Sequence, residues 1–286
     1  MSRIISFVAH KGGAGKTTCA QQIAAALAQL HNFKVLVIDL DAQSNLTKGL
    51  TCESIPTNLT ASRMLLDENS PVSDYVINIR KNLDLIPNRY VPDQDFELAH
   101  LAGQWQDLRF RLHETGHHYD YIIIDTPPAI HYQTRSAIIT ADLAVLVMTC
   151  SHYSLIGATN IIGQVMELQD QSRRRHIPIK VLINLYDDRR GLDHRLRSEI
   201  DRIFEADVFQ TVIHQNVRLG DAAQSSQTIF ERDRHSTGAQ DFEKLTVELI
   251  AKIEATSLIG QIRQEESQAA YPRRQPTVVI PIHRAW

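Results

Sequence analysis

The chain has 286 residues, 43% of them hydrophobic and 22% charged, with a formal net charge of −3. Such a composition allows a sizeable core and excludes collagen-like, disordered and disulfide-scaffold chains. No apolar run approaches the roughly 18 residues of a membrane-spanning helix, and Cys19, Cys52 and Cys150 are too scattered for a disulfide framework or a C-x-x-C metal site. The mild negative charge gives no general attraction to nucleic acid or to an anionic membrane, so either partner would need a local basic patch. The opening MSRIISFVAH has no signal-peptide pattern, and a cytoplasmic protein is expected.

In chain order, β-branched apolar runs at Ile4 to Ala9, Lys34 to Asp39, Tyr119 to Asp125, Leu143 to Cys150, Ile179 to Leu185 and Phe209 to Ile213 read as strands buried on both faces. Helical spacing occupies Thr17 to Leu30, Gln133 to Ala141, Leu155 to Gln169, Leu192 to Phe204 and Ala239 to Ile253. The alternation predicts an α/β fold with a doubly wound, mostly parallel sheet flanked by helices. Residues 51 to 112 are less regular, with helices expected at Thr60 to Leu66 and Asp93 to Leu112 and short strands at Tyr75 to Ile79 and Leu83 to Ile86. One large domain over residues 1–255 is expected, with a C-terminal extension over 256–286. The extension's Gln, Glu and Arg, followed by Pro272, Pro276 and Pro281, predict an extended or partly disordered segment.

Only twelve glycines occur, yet Gly12, Gly13 and Gly15 fall within four residues between the first strand and the first helix. In Gly12-Gly13-Ala14-Gly15-Lys16-Thr17-Thr18 the glycines let backbone amides turn around phosphate oxygens, at a helix N-terminus whose dipole favours anions. Lys16 would reach the β- and γ-phosphates and Thr17 would ligate Mg2+, so a nucleoside triphosphate is the expected ligand. The first glycine of the general G-x-x-x-x-G-K-[ST] pattern would fall on His10, so this is a variant form.

That variant begins with Lys11, and Lys11-Gly12-Gly13-Ala14-Gly15-Lys16-Thr17-Thr18 resembles the deviant Walker A loop of the ParA, Soj and MinD ATPases. The resemblance runs from about residue 3 to residue 254 and implies ATP and Mg2+ as cofactors. It also implies a homodimer closed around two nucleotides, in which Lys11 crosses to the partner's ATP. From the residues alone, Lys11 is equally a solvated loop lysine.

Two acids end the second strand in Asp39-Leu40-Asp41-Ala42-Gln43, similar to the family's D-x-D-P-Q with Ala42 in place of proline. The resemblance implies that Asp41 positions the attacking water and that Asp39 supports the Mg2+ shell or the lysine network. Such a pair otherwise caps a helix or lies in a solvated turn. Phosphoryl transfer needs positioning and charge neutralisation more than proton abstraction, which suits an acid that orients water. Tyr121-Ile122-Ile123-Ile124-Asp125-Thr126-Pro127-Pro128 is a hydrophobic strand ending in an acid, the Walker B arrangement, with Asp125 toward Mg2+. The resemblance thus implies Lys11, Lys16 and Asp41 as the catalytic set and Thr17, Asp39 and Asp125 as the metal set.

Asn184-Leu185-Tyr186-Asp187 lacks the lysine of a guanine-reading N-K-x-D motif. With Val212-Ile213-His214-Gln215-Asn216-Val217-Arg218-Leu219 it is similar to the family stretches near adenine, although His214 and Gln215 replace the usual proline and arginine. Asn184 and Asn216 are therefore candidate nucleotide contacts, or simply caps of strand ends. No cysteine lies between Cys52 and Cys150 to hold an iron–sulfur cluster, which excludes the reductases and cluster scaffolds built on the same loop.

An ATP switch needs an output. Between Arg173 and Arg202 nine Lys or Arg face five acids, and Arg189, Arg190, Arg195, Arg197 and Arg202 lie on or beside one predicted helix. On charge alone this is a solvated helix face. Resemblance to ParA and Soj, which carry a DNA-binding arginine near Arg218, implies sequence-independent binding to DNA through these six arginines, with a nucleoid-associated location. It also implies a ParB-like or other adaptor that stimulates hydrolysis, and a plasmid, chromosome or protein organelle as cargo. Alternatives are a MinD-like membrane-associated positioning ATPase and an ATP-dependent small-molecule ligase such as dethiobiotin synthetase. Pro276 and Pro281 interrupt any terminal amphipathic helix, so membrane binding is not expected.

Overall fold

The computed structural model describes residues 2–101, 103–114, 119–128, 130–172 and 176–270, with side chains to residue 255. Eight strands form one sheet: β1 (Arg3–Val8), β2 (Val35–Asp39), β3 (Ile77–Arg80), β4 (Leu83–Ile86), β5 (Tyr121–Asp125), β6 (Leu143–Met148), β7 (Ile179–Tyr186) and β8 (Ile213–His214). Their order is β3-β4-β2-β5-β1-β6-β7-β8, and every pairing is parallel except β3 with β4. The doubly wound sheet read from the alternation is the one observed.

Burial on both faces explains the continuous apolar strands. Ile4, Leu36, Ile38, Ile122 and Ile124 pack on one face with Ala61, Met64, Leu98, Leu112 and Tyr132. Further along the same face Val8, Leu146, Val181 and Ile183 pack with Ile161, Val165, Leu168 and Ile200, and the alternate residues Ile5, Phe7, Val35, Val37, Ile123 and Val145, on the opposite face, are fully buried as well. Each such side chain, when fully buried, contributes about 1.5–3 kcal/mol.

The helices are α1 (Lys16–Gln29), α2 (Asn45–Leu50), α3 (Ala61–Leu66), α4 (Pro92–His100), α5 (Arg109–His113), α6 (Tyr132–Thr140), α7 (His152–Ser172), α8 (Gly191–Phe204), α9 (Val217–Gln224), α10 (Ile229–Arg232) and α11 (Thr237–Ala270). In α1 small Ala20, Ala24, Ala25 and Ala28 accompany Ile23 and Leu27 and are buried, so the helix lies close against the sheet. Cys19 is buried in it, Cys150 is half-buried, and Cys52, just beyond α2, is exposed. Burial is the first cause that pushes the Cys150 thiol up to about 11.

Three of the predicted elements differ from the sequence reading, which also named no helix at α2, α9 or α10. The predicted helix Asp93 to Leu112 is two helices, because Gly103 adopts φ +85° and the following amides of Gln106 and Leu108 are taken by Ser136 Oγ and Thr140 Oγ1. The predicted strand Phe209 to Ile213 shrinks to Ile213–His214, since the Glu248 carboxylate accepts from the amides of Gln210 and Thr211. The last predicted helix, Ala239 to Ile253, is part of α11, which runs to Ala270; the extension expected from residue 256 falls partly in this helix and, from 271 on, outside the described residues.

The chain divides into two compact units, Met1–Glu248 and Leu249–Trp286. The first holds the whole sheet and every candidate site residue. Among the described residues no helix is long and apolar enough to cross a membrane.

Candidate nucleotide site

The central position of β1 fixes the site. The chain leaves the end of β1 into the glycine loop, and Gly13 and Gly15 take φ of +83° and +82°, a region that side chains rarely adopt. Gly15 then stands as the N-cap of α1. A Cβ at Gly15 would lie 2.0 Å from Asn184 Nδ2, so both backbone conformation and space require glycine there.

The loop borders a cavity of about 520 Å3, lined by Lys11 to Thr18 and by Asp41, Gln43, Lys48 and Pro128 among others. Beneath it Lys16 Nζ donates to Asp125 Oδ1 at 2.5 Å and Thr17 Oγ1 donates to Asp125 Oδ2 at 2.8 Å. Lys16 is 7% and Asp125 0% exposed, so the pair is desolvated. Lys11 stands exposed at the rim, and Asp41, 8% exposed, lines the wall and accepts from the Gln43 amide at 2.9 Å. Thr17 and Asp125 present hard oxygen donors side by side, a set that fits Mg2+. No group of three or more His, Cys, Asp or Glu among the described residues could hold another metal.

Asp39 lies opposite Asp125 in the β2–β5 register and is fully buried. Its oxygens accept from the Thr47 amide and hydroxyl, at 2.9 and 2.7 Å, and from the Asp41 amide at 3.1 Å. Burial first, and then the charge of Asp125, raise its carboxyl to about 7. Asp125 is raised too, by burial, with the Lys16 ammonium opposing. With Thr47 and Asp41 as its donors, Asp39 braces the loop into α2.

Asn184 lies against the glycine loop, near the end of β7. It is 3% exposed, its Nδ2 donates to the Ala14 carbonyl at 2.7 Å, and so it holds the glycine loop from β7. Asn216 caps α9, accepting from the Arg218 amide at 2.9 Å. The neighbouring residue His214, which stands at the usual proline, joins Asp241 at 2.8 Å to Asp188 at 3.0 Å.

The six arginines are not equivalent. Arg197 is only 15% exposed; it is held by Asp201 and donates to the Phe209 carbonyl, so it serves the fold. Arg189 and Arg190 are 88% and 63% exposed but share Asp187, whose carboxyl the Arg189 guanidinium holds down at about 2. Arg195 and Arg202 are exposed on α8. Arg218, 56% exposed, lies 3.7 Å from Asp221 and 3.9 Å from Asp233. Arg173, Arg174 and Arg175 lie outside the described residues.

The sequence reading missed Gln21, Gln43, Asn45, Lys48, Ala223 and Gln224, which also line the cavity. Gln43 stands in the D-x-D-x-Q stretch and Gln21 follows Thr17 by one helical turn, so both carried a signal. Ala223 and Gln224 carried none.

A family model described as an AAA domain matches residues 2–179. Sporulation initiation inhibitor protein Soj of Bacillus subtilis is 31% identical over 252 residues, which cover 88% of this chain and 99% of that protein. Chromosome-partitioning ATPase Soj of Thermus thermophilus is 31% identical over 254 residues, 88% of this chain and 97% of that one. Among solved structures, the septum site-determining protein MinD of Pyrococcus horikoshii, complexed with Mg-ADP, superposes with a TM-score of 0.71 at 23% identity, over 87% of this chain and 96% of that chain.

Proposed function

The chain belongs to the ParA/Soj family of deviant Walker A P-loop ATPases, and on that premise we propose that it hydrolyses ATP, dimerises around two bound nucleotides, and in that form binds DNA without sequence preference to position or partition a cargo. The observation that carries the reading is the convergence of Lys16 and Thr17 on Asp125 beneath a glycine-lined cavity with Lys11 at its rim.

In this reading the amides of the glycine loop bind the phosphates, and Lys16 exchanges Asp125 for the β- and γ-phosphate oxygens. Thr17 and Asp125 would hold Mg2+, which would supply neutralisation of phosphate charge. Asp41, fixed through the Gln43 amide, orients a water toward the γ-phosphate. Lys11 extends from the rim to the nucleotide of a second copy, so that triphosphate and dimer favour each other. Arg189, Arg190, Arg195, Arg202 and Arg218 contact DNA phosphates, doubled in the dimer, and an adaptor protein of ParB-like kind accelerates hydrolysis and release at the nucleoid.

The test is binding to a random-sequence duplex with ATP, ADP or no nucleotide, across a salt series and with Arg218→Glu. ATP-dependent, salt-sensitive binding that weakens in the variant supports the reading. ATP-dependent dimers without DNA binding overturn the DNA output, and liposome sedimentation then examines the membrane alternative.

A further inference from the structure

Three consecutive carbonyls end α2, and each is met by a side chain from a different part of the chain. Lys48 O accepts from Ser226 Oγ at 2.8 Å, Gly49 O from Gln21 Nε2 at 2.7 Å, and Leu50 O from Arg80 Nη1 at 2.7 Å. A helix leaves its last carbonyls without intrahelical partners, and one of six residues has little stability of its own. The groups that satisfy those carbonyls therefore set where α2 sits.

Arg80 is the hub. Besides Leu50 O, its guanidinium donates to Ser226 O at 2.8 Å and makes a two-point pair with Glu231, at 2.6 and 3.1 Å. Glu231 forms the capping box of α10 with Thr228, and Ile229 N donates to Gln22 in α1. Gln21 also reaches Gln227 O at 3.3 Å, so the same segment, 226 to 231, is tied to α1, to the edge strand β3 and to α2. Gly49 admits this closeness, since a Cβ there would lie 2.8 Å from Gln21 Oε1.

Both sides of this clasp face the nucleotide cavity. Asn45, Lys48 and Gly49 of α2 line it from one side, and Ala223 and Gln224 at the end of α9 from the other. The opposite end of α9 begins at the exposed Val217 and Arg218. We propose that Arg80 is a positioning residue that locks α2 and the α9–α10 connection into one body, so that nucleotide entering the cavity is felt along α9. The planar fork of arginine makes four hydrogen bonds here, to two carbonyls and both carboxylate oxygens, one more than the three donors of an ammonium allow. The proposal rests on the nucleotide reading of the cavity and is independent of DNA.

Hydrogen exchange of the full chain with and without Mg2+ and AMPPNP tests it. In the wild type, protection is expected to change in residues 10–18, in α2 and in α9. In Arg80→Met the change in residues 10–18 stays while that in α9 falls by about fivefold or more; Arg80→Lys does not restore it, and Ser226→Ala, the gentler variant, lowers it in part. An α9 response equal to the wild type in both Arg80→Met and Ser226→Ala overturns the clasp, as does a wild type that responds at residues 10–18 and not in α9. No response anywhere in the wild type would overturn the nucleotide reading itself, and the clasp with it.

Discussion

Lys16 and Asp125, 109 residues apart in the chain, form a buried ion pair in which Nζ stands 2.5 Å from Oδ1. Removing one member of a buried pair leaves the other charged and desolvated. Lys16→Met is expected to lower the stability of the nucleotide-free protein by about 3 kcal/mol, because Asp125 then faces Asp39 with no cation between them. Urea unfolding measures it, and the double variant Lys16→Met/Asp125→Asn should regain part of the loss.

Asp39 gives a pH dependence with a defined sign. Its carboxyl stands at about 7 in the fold against an ordinary value of 3.8. Between those values the folded protein holds a proton that the unfolded chain has released, so stability is present at low pH and is lost as pH rises through about 7. Urea midpoints of the nucleotide-free protein should fall from pH 5 to pH 8. Asp39→Asn, which keeps an oxygen for Thr47 and carries no charge, should flatten that fall.

Lys11 and Asp41 separate dimerisation from chemistry. Lys11→Ala should bind ATP as a monomer, read by sedimentation velocity. Asp41→Ala should still form ATP-dependent dimers yet turn over about a hundredfold more slowly, a loss typical of a displaced water-orienting group. Hydrolysis at the wild-type rate in the Asp41 variant would overturn its role.

Asn184 holds the Ala14 carbonyl through Nδ2. Asn184→Ala should weaken ATP and GTP by the same factor, about tenfold for one lost buried hydrogen bond. A change in the ratio of the two affinities would return Asn184 to the base.

Charge changes should sort the arginines. Arg218→Glu and Arg202→Glu should weaken DNA binding and lower its salt dependence, each by roughly two counterions per dimer. Arg197→Ala should instead lower the melting temperature, since it removes the donor on Phe209 O, and should leave the salt dependence as it was.

How much of this was legible in the sequence follows from the range of the forces involved. The strands ending at Asp39 and Asp125, and the glycine loop, were legible because two-sided burial and positive φ leave local marks in residue type. The shortening of the Phe209 to Ile213 strand was not, because Glu248 arrives from α11 to take its amides. Asn184 reaches Ala14 across 170 residues and Arg80 reaches Glu231 across 151, and no periodicity records either contact. The arginines were readable as charge but not as availability; only the structure separates half-buried Arg197 from exposed Arg195.

The distribution of thiols offers an experimental handle. Cys19 is sealed in α1, and the Cys150 thiol, half-buried, is held at about 11 and stays protonated near neutrality. Cys52 is exposed two residues beyond Leu50, at the end of the helix that the clasp holds. A maleimide dye at pH 7 should therefore label the native chain at one place, with no cysteine removed, and place its fluorescence where it reports, in real time, each rearrangement of α2 that ATP brings about.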